Sequence, residues 1–405
     1  MPSVCMYFQI HQPFRLRKSR IFDSPGVHEF FDTDANSIIT QKVARKCYLP
    51  ANALLLELIE RHAGRFRVAM SITGTVVEQM RLYAPDALES FQRLVRTGCV
   101  ELLGETYYHS LAAVRHEEEF RAQVAVHREM CRNVFGVEPA VFRNTELIYD
   151  DRIGRLASEM GFKAVMAEGA DDILGWRSPN YVYTHPQCPI RLMLRNYRLS
   201  DDVAFRFSDR RWSEFPLTAD RFANWVHQTS GNGTQVNLFM DFETFGEHQW
   251  EDTGIFHFFR HFPDALFTQP DWNFATPSEV VAAYAPAAEL SVGRTMSWAD
   301  AERDLSAWAG NRIQQAAMDR LYGMRDDVLA TGDAAVIDAW RKLQTSDHLY
   351  YMSTKCAEDG AVHSYFSPFG SPYDAFISLQ NAMHHLERIV GRNASLQTKT
   401  EDTTV

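Results

Sequence analysis

Short apolar runs of strand length recur through the first two thirds of the chain, and helical stretches separate them. The runs lie at 3–10, 66–72, 99–103, 140–143, 162–167, 190–194 and 235–240. The stretch 115–135 is typical of the segments between them, because its apolar side chains fall near one helical face while Arg and Glu occupy the rest. Alternating strands and helices predict a parallel sheet, and seven or eight repeats favour a closed barrel over an open sheet.

The strand pattern stops after 274–278, and the remaining chain has helical character. Helices are predicted at 311–331, 333–345 and 372–391, with Gly332 as a break between the first two. We therefore predict a barrel domain over 1–285, a helical C-terminal domain over 286–394 that contributes to the functional site, and a frayed tail over 395–405.

Charge and cysteine content exclude several classes of protein. The 405 residues include 41 basic and 52 acidic side chains, and a formal charge of -11 disfavours binding to a phosphate backbone. No apolar run reaches the ~18 to 20 residues of a membrane span, and no secretory leader is recognisable at the start. The six cysteines are scattered without a CxxC pair, which favours reduced, structural thiols. We expect a cytoplasmic protein with neither nucleic acid nor a membrane as partner.

Polar side chains cluster directly after the apolar runs. They include His11-Gln12-Pro13, the stretch 104–109 with His109, Asn144-Thr145-Glu146, the stretch 168–171, and Asp241-Phe242-Glu243. The carboxyl ends of all strands in a parallel barrel meet on one face, so these distant segments are expected to converge there.

Asp241 and Glu243 follow the last apolar run of the barrel. If the strand continues through them, their side chains share one face and Phe242 packs on the other. Two neighbouring carboxylates repel unless one is protonated or meets positive charge, and this is a common setting for acid/base chemistry. A solvated acidic loop after the strand is the alternative interpretation.

Glu146 lies between an apolar strand and an apolar helix start. It could simply interact with the N-terminus of that helix. Together with Asp241 on the same rim, however, it matches the pair of acids that glycosidic cleavage needs. A separation of ~5 to 5.5 Å would predict retention of anomeric configuration, and ~6.5 to 9.5 Å would predict inversion. Trp250, Trp298 and Trp308 are candidate platforms for sugar rings, or ordinary core residues.

Metal and cofactor sites have weaker support. His11 could be a zinc ligand, because histidines and acids on barrel rims also bind zinc, but no HExxH spacing is present. Neither GxGxxG nor GxxxxGK[ST] occurs, so no loop is expected to cradle phosphates. We expect no metal and no cofactor.

The chain resembles glycoside hydrolase family 57, and within it the α-amylase-like branch. Five short regions in order carry the resemblance: His11-Gln12-Pro13, the stretch 98–109, FRNTELIYDD at 142–151, MDFETFGEHQW at 240–250 and ADAERDLSAWAGN at 299–311. One departure is Arg143, since other branches of this family carry Trp three positions before the nucleophile.

The resemblance implies a (β/α)7 barrel, an incomplete TIM-like barrel, followed by a helical domain, and retaining chemistry at α-glucosidic bonds without a metal. By position, Glu146 matches the nucleophile and Asp241 the proton donor and base. The same matching assigns substrate contacts to Glu243, Trp250, His11, His109, Asp304 and Trp308.

The leading hypothesis is therefore a retaining glycoside hydrolase that cleaves α-1,4-glucosidic bonds in starch, glycogen or maltodextrin by double displacement. A 4-α-glucanotransferase or branching enzyme would use the same residues with a sugar acceptor. A more distant alternative is a metal-dependent deacetylase or phosphohydrolase that uses His11, His109 and Asp241 as ligands. A non-catalytic glucan-binding protein is also conceivable, although the presence of both acids argues against it.

Overall fold

The computed structural model describes residues 2–355 and 367–401. Contacts between residues divide the chain into two compact units that interleave along the sequence. The first comprises Met1–Gln12, Ser37–Thr106 and Arg121–Trp298, and the second comprises Pro13–Asn36, Tyr107–Phe120 and Ala299–Val405. The domain limits of 285 and 394 remain sequence predictions. The helix Pro372–Glu401 runs into the tail predicted over 395–405, of which 402–405 lie outside the described residues.

The strands belong to the first unit. They are β1 Ser3–Ile10, β2 Val68–Ile72, β3 Val100–Leu102, β4 Val141–Arg143, β5 Ala164–Glu168, β6 Val182–Thr184, β7 Arg191–Arg195, β8 Gln235–Asp241 and β9 Asn273–Phe274. One sheet has the order β3-β2-β1-β8, with β9 also paired to β1, and the other has the order β4-β5-β7-β6. All pairs are parallel except β6 with β7.

Hydrogen bonds join the two sheets at both edges. Gly104, just after β3, pairs in parallel with Phe142 of β4. At the other edge the Asn196 amide donates to the Asn237 carbonyl of β8 at 2.9 Å, and the Asn237 side chain donates to the Leu194 carbonyl of β7 at 2.8 Å. Seven parallel strands, β1 to β5 with β7 and β8, therefore close into a barrel. Gly104 suits the join, because a Cβ there would lie 2.6 Å from the Phe162 ring.

The predicted fold class is confirmed, and each of the seven predicted runs contains a strand. These runs are apolar on both faces, as expected of parallel strands covered by helices, and β1 is buried along its whole length. The barrel interior is filled by side chains that include Tyr7, Leu103, Met166 and Phe239. The two strands that the pattern did not predict, β6 and β9, have only three and two residues.

Helices follow most barrel strands, and several begin at a side-chain cap. The α-helices span Thr33–Val43, Leu49–Arg61, Gly74–Tyr83, Pro85–Arg96, Ala112–Arg115, Glu117–Phe135, Asp151–Glu159, Asp171–Leu174, Tyr197–Ala204, Ala219–His227, Ile255–Leu266, Pro277–Ala283, Ser306–Ala309, Arg312–Gly323, Arg325–Ala330, Ala334–Leu343, Ser346–Tyr350 and Pro372–Glu401. A π-helical turn spans Ala44–Tyr48, and 3-10 turns span Val27–Glu29, Thr145–Leu147, Phe242–Thr244 and Glu251–Thr253. Caps such as Thr73, Asp150 and Asn196 accept from the first turn.

The second unit is helical, as predicted for the C-terminal part of the chain. Its earlier segments attach to the later ones through buried polar contacts. Arg341 forms a bidentate pair with the buried carboxylate of Glu119. The Tyr108 hydroxyl donates to Asp338 at 3.0 Å. The single helix predicted at 311–331 is divided into Arg312–Gly323 and Arg325–Ala330.

The cysteines in the described residues are free thiols. Cys5, Cys47, Cys99 and Cys131 are buried and Cys188 is half-buried, while Cys356 lies outside the described residues. Across 2–355 and 367–401, no helix has the length and apolar composition needed to cross a membrane.

Candidate active site

Glu146 lies in a strained turn immediately after β4. The 3-10 turn Thr145–Leu147 contains Glu146 at φ 58° and ψ 25°, and Leu147 at φ 51°. The left-handed region is unfavourable for residues with a Cβ, and each such residue costs on the order of 1 to 3 kcal/mol. Two consecutive ones persist only where the surroundings impose them, and such strain clusters at functional sites.

Trp298 imposes this conformation through two hydrogen bonds. Its backbone amide donates to the Glu146 carbonyl at 3.2 Å. Its indole Nε1 donates to Glu146 Oε2 at 2.8 Å. A hydrogen bond to an ionised carboxylate favours the charged form, so Trp298 both positions the carboxylate and supports its negative charge.

The segment that carries Trp298 is itself tied to the chain after Glu146. Tyr149 and Met296 form an antiparallel bridge with two amide-to-carbonyl bonds of 2.9 Å. The Thr295 hydroxyl donates to Asp150 Oδ2 at 2.8 Å, while Asp150 Oδ1 caps the helix Asp151–Glu159. The Glu146 turn is thus held between β4, a capped helix and the segment 291–298.

Asp241 is the last residue of β8 and lies beside Gln9 of β1 in the parallel register. The strand ends there, and the 3-10 turn Phe242–Thr244 follows. The expected alternation of Asp241 and Glu243 along one strand was therefore wrong, because the backbone turns between them. Since β4 and β8 run in the same direction around the barrel, Asp241 and the Glu146 turn lie at the same carboxyl-terminal rim.

Glu243 is almost fully enclosed, with 7% of its surface exposed. Its Oε1 accepts from the Tyr48 hydroxyl at 2.6 Å and from Gln12 Nε2 at 3.3 Å. Burial, with a smaller contribution from the negative charge of Asp241, raises the pKa of Glu243 to about 8, although the two hydrogen bonds oppose the shift. Glu243 therefore carries a proton at neutral pH.

His11 and Trp250 lie elsewhere on the same rim. His11 follows β1, and its Nδ1 is 3.0 Å from the Thr73 hydroxyl, which caps the helix Gly74–Tyr83. Trp250 is 55% exposed, and the Lys46 ammonium lies 5.1 Å from its ring centre. An exposed indole face of this kind is accessible to a ligand.

The other predicted contact residues belong to the second unit. His109 is buried, has a φ of 51°, and accepts from the Ser346 amide through its carbonyl at 2.9 Å. Asp304 accepts from the backbone amide of Ser306 at 2.7 Å and from its hydroxyl. Trp308 is 2% exposed and packs near Tyr350, and its indole nitrogen has no hydrogen-bond partner within the described part of the chain.

Metal-binding geometry is not found in the described residues. Within 2–355 and 367–401, no three His, Cys, Asp or Glu side chains are grouped so that they could hold a metal ion.

His248, unassigned from sequence, has a pKa lowered by burial to about 4, so it is neutral at pH 7.

Three features of the site had no clear signal in the sequence. Tyr48, which holds Glu243, lies in a π-helical turn far from any recognised motif. The left-handed turn at Glu146 contains no Gly or Asn that would have indicated a positive φ. The buried contact between Arg143 and the Trp298 ring joins residues that are more than a hundred positions apart in the sequence.

A family model and a curated relative each match most of the chain. The model of the family described as "Glycosyl hydrolase family 57" matches residues 5–293. A curated protein of Methanocaldococcus jannaschii named "Putative alpha-amylase" is 44% identical over 392 residues, which cover 94% of this chain and 83% of the relative.

Solved structures with low sequence identity share the fold. A GH57 branching enzyme from Thermococcus kodakaraensis is 14% identical, with a TM-score of 0.68 over 97% of this chain and 90% of its own. The 4-alpha-glucanotransferase from Thermococcus litoralis is 15% identical, with a TM-score of 0.62 over 86% of this chain. This chain spans 56% of the length of that glucanotransferase.

Proposed function

The chain belongs to glycosyl hydrolase family 57, and we propose that it cleaves α-1,4-glucosidic bonds in starch, glycogen or maltodextrin with retention of configuration. Glu146 is the nucleophile and Asp241 is the proton donor and base. The observation that carries the assignment is Glu146 itself, a carboxylate in a strained turn at the barrel rim whose Oε2 is held by Trp298 Nε1 at 2.8 Å. The name of the archaeal relative supports the α-glucan substrate.

Two displacements complete the reaction. In the first, a Glu146 oxygen forms a bond to the anomeric carbon while the bond from that carbon to the departing oxygen breaks, and Asp241 gives its proton to that oxygen. In the second, Asp241 takes a proton from water, the water oxygen attacks the anomeric carbon, and the ester bond to Glu146 breaks. Two inversions restore the original configuration.

The other residues predicted from the sequence are assigned as substrate contacts within this proposal. The exposed Trp250 suits stacking against a pyranose face, and His11 offers a ring nitrogen for a sugar hydroxyl. His109, Asp304 and Trp308 keep this role on the resemblance alone. Glu243 is anchored by Tyr48 and Gln12, and a protonated carboxyl there can donate to a sugar oxygen.

Isosteric replacement of each acid tests the assignment. We expect Glu146→Gln and Asp241→Asn to lower kcat on maltoheptaose by more than about 1000-fold, because each removes a group that forms a bond or transfers a proton. Matched controls are Glu129→Gln and Asp271→Asn, which change exposed acids outside the site and should leave kcat unchanged. Activity like that of the controls in either site variant would refute the assignment.

The acceptor in the second displacement distinguishes hydrolysis from transfer. Water gives glucose and maltose from maltotriose, whereas a sugar hydroxyl gives chains longer than the substrate or, in a branching enzyme, α-1,6 linkages. Chromatography of maltotriose products with a debranching step separates these outcomes, and we expect the hydrolytic pattern.

A cytoplasmic location is part of the same proposal. It is supported by the free thiols of the described cysteines, four of which are buried, as is usual in reducing compartments.

A further inference from the structure

A buried cation lies close to the proposed nucleophile. Arg143 is the last residue of β4, three positions before Glu146, and its surface is fully enclosed. Its guanidinium carbon lies 5.9 Å from the Tyr7 ring centre and 5.0 Å from the Trp298 ring centre, and Nη1 is 3.9 Å from Glu105 Oε2. In the described structure none of its three side-chain nitrogens has a hydrogen-bond acceptor. A cation without acceptors is costly to bury.

Burial of Arg143 is therefore compensated by the charge of Glu105 and by the aromatic faces. Cations over aromatic rings are attracted most strongly when water is excluded and when the ring is an indole. Because Glu105 is also fully buried, the two residues form a nearly neutral pair inside the barrel.

A second guanidinium lies over the same indole. Arg195, at the end of β7, places its guanidinium carbon 5.8 Å from the Trp298 ring centre. Unlike Arg143 it is fixed by hydrogen bonds, to the Phe239 carbonyl at 2.7 Å and to Glu168 at 3.2 Å. A cation over an indole draws electron density away from the N–H group and makes it a better donor. That donor is the one that holds Glu146 Oε2.

We propose that Arg143 is a positioning residue for the nucleophile, acting through the Trp298 indole to orient the Glu146 carboxylate and keep it ionised for attack. This inference rests on the proposed function, in which Glu146 attacks the anomeric carbon. Arg143 itself does not touch the reacting atoms.

The proposed role of Arg143 can be distinguished from that of an ordinary core residue by the pH dependence of kcat/KM after Arg143 is replaced. Without the cation, the indole N–H is a weaker donor, so Glu146 takes up a proton more readily and the acid limb of kcat/KM moves to higher pH. After Arg143 is replaced, the charged groups that remain around Tyr7 and Trp298 are Glu168, Arg195, Asp201 and Asp241. A residue that only fills space would lower activity without moving that limb.

The variant Arg143→Met combined with Glu105→Gln removes both buried charges together and so avoids an unpaired carboxylate. On 4-nitrophenyl α-maltotrioside we expect kcat to fall about 10- to 100-fold, the range typical of groups that orient a working side chain. KM should change little, and the acid limb should rise by about one pH unit. Circular dichroism and thermal unfolding test whether the variant is folded.

A double-mutant cycle with Trp298→Phe, which removes the N–H and keeps a ring, is decisive. If Arg143 acts through the indole, adding Arg143→Met and Glu105→Gln to Trp298→Phe should lower kcat by less than about a further twofold. Equal losses in the two backgrounds, or an unmoved acid limb, overturn the proposal. Should the variant with Arg143→Met and Glu105→Gln fail to fold, Arg143→Gln combined with Glu105→Gln, which also removes both charges and leaves two neutral amides, enters the same cycle with the same criterion.

Glu146→Gln separates this inference from the proposed function. If Glu146→Gln keeps activity, the nucleophile assignment itself fails. If Glu146→Gln is inactive and the cycle is additive, only the role of Arg143 fails.

Discussion

At the scale of single residues, the site separates its carboxyl groups by environment. Glu146 is held by an indole N–H that favours its charged form. Glu243 is enclosed beside Asp241, and its pKa is raised to about 8. The two carboxyl groups therefore differ in what their surroundings favour, and enzymes assign different roles to like groups in this way.

The raised pKa of Glu243 predicts a dependence of stability on pH. Between about pH 4.5 and 8 the folded protein holds this proton while the unfolded chain has released it, so raising the pH favours unfolding. The free energy of unfolding should fall by on the order of 4 kcal/mol across this window through this group. Glu243→Gln mimics the protonated form, so the variant should lose this component.

Urea unfolding at pH 5, 6.5 and 8 measures the effect. The stability of Glu243→Gln relative to the parent protein should increase steadily with pH, while the exposed control Glu129→Gln should show no such trend. A difference between Glu243→Gln and the parent that stays constant from pH 5 to 8 would show that Glu243 ionises normally.

At the scale of elements, the proposed nucleophile depends on a segment outside the barrel strands. The segment 291–298 runs beside 146–151, and Asp150 serves both as the cap of the helix Asp151–Glu159 and as the acceptor for Thr295. Loosening this segment should loosen Trp298 and, with it, the Glu146 carboxylate.

Comparison of two helix caps tests this dependence. Asp150→Ala and Asp333→Ala each remove a side-chain cap, the second from the helix Ala334–Leu343. Each should lower the free energy of unfolding by about 0.5 to 2 kcal/mol. Only Asp150→Ala should also lower kcat, by about tenfold, because only Asp150 supports the Trp298 segment. Equal kcat values in the two variants would argue against the coupling.

At the scale of the whole molecule, the barrel could be predicted from sequence because its strands are long apolar runs, buried on both faces, each followed by polar residues. The division into two interleaved units could not be predicted from the sequence. The segments 13–36 and 107–120 join the second unit through contacts between distant residues, such as Arg341 with Glu119, and such contacts produce no local sequence pattern. The proposed catalytic acids could be identified from the order of the motifs. The conformation of the Glu146 turn and the contacts of Arg143 could not, because both involve Trp298, which is distant in sequence.

Covalent trapping tests the central assignment most directly. An activated 5-fluoro α-glucosyl fluoride should form a long-lived ester with the nucleophile of a retaining enzyme, and peptide mass spectrometry locates the sugar. We predict a single label on the peptide that contains Glu146, and no label in Glu146→Gln. A label on another residue, or inverted product with no label, would contradict the assignment of Glu146 as the nucleophile.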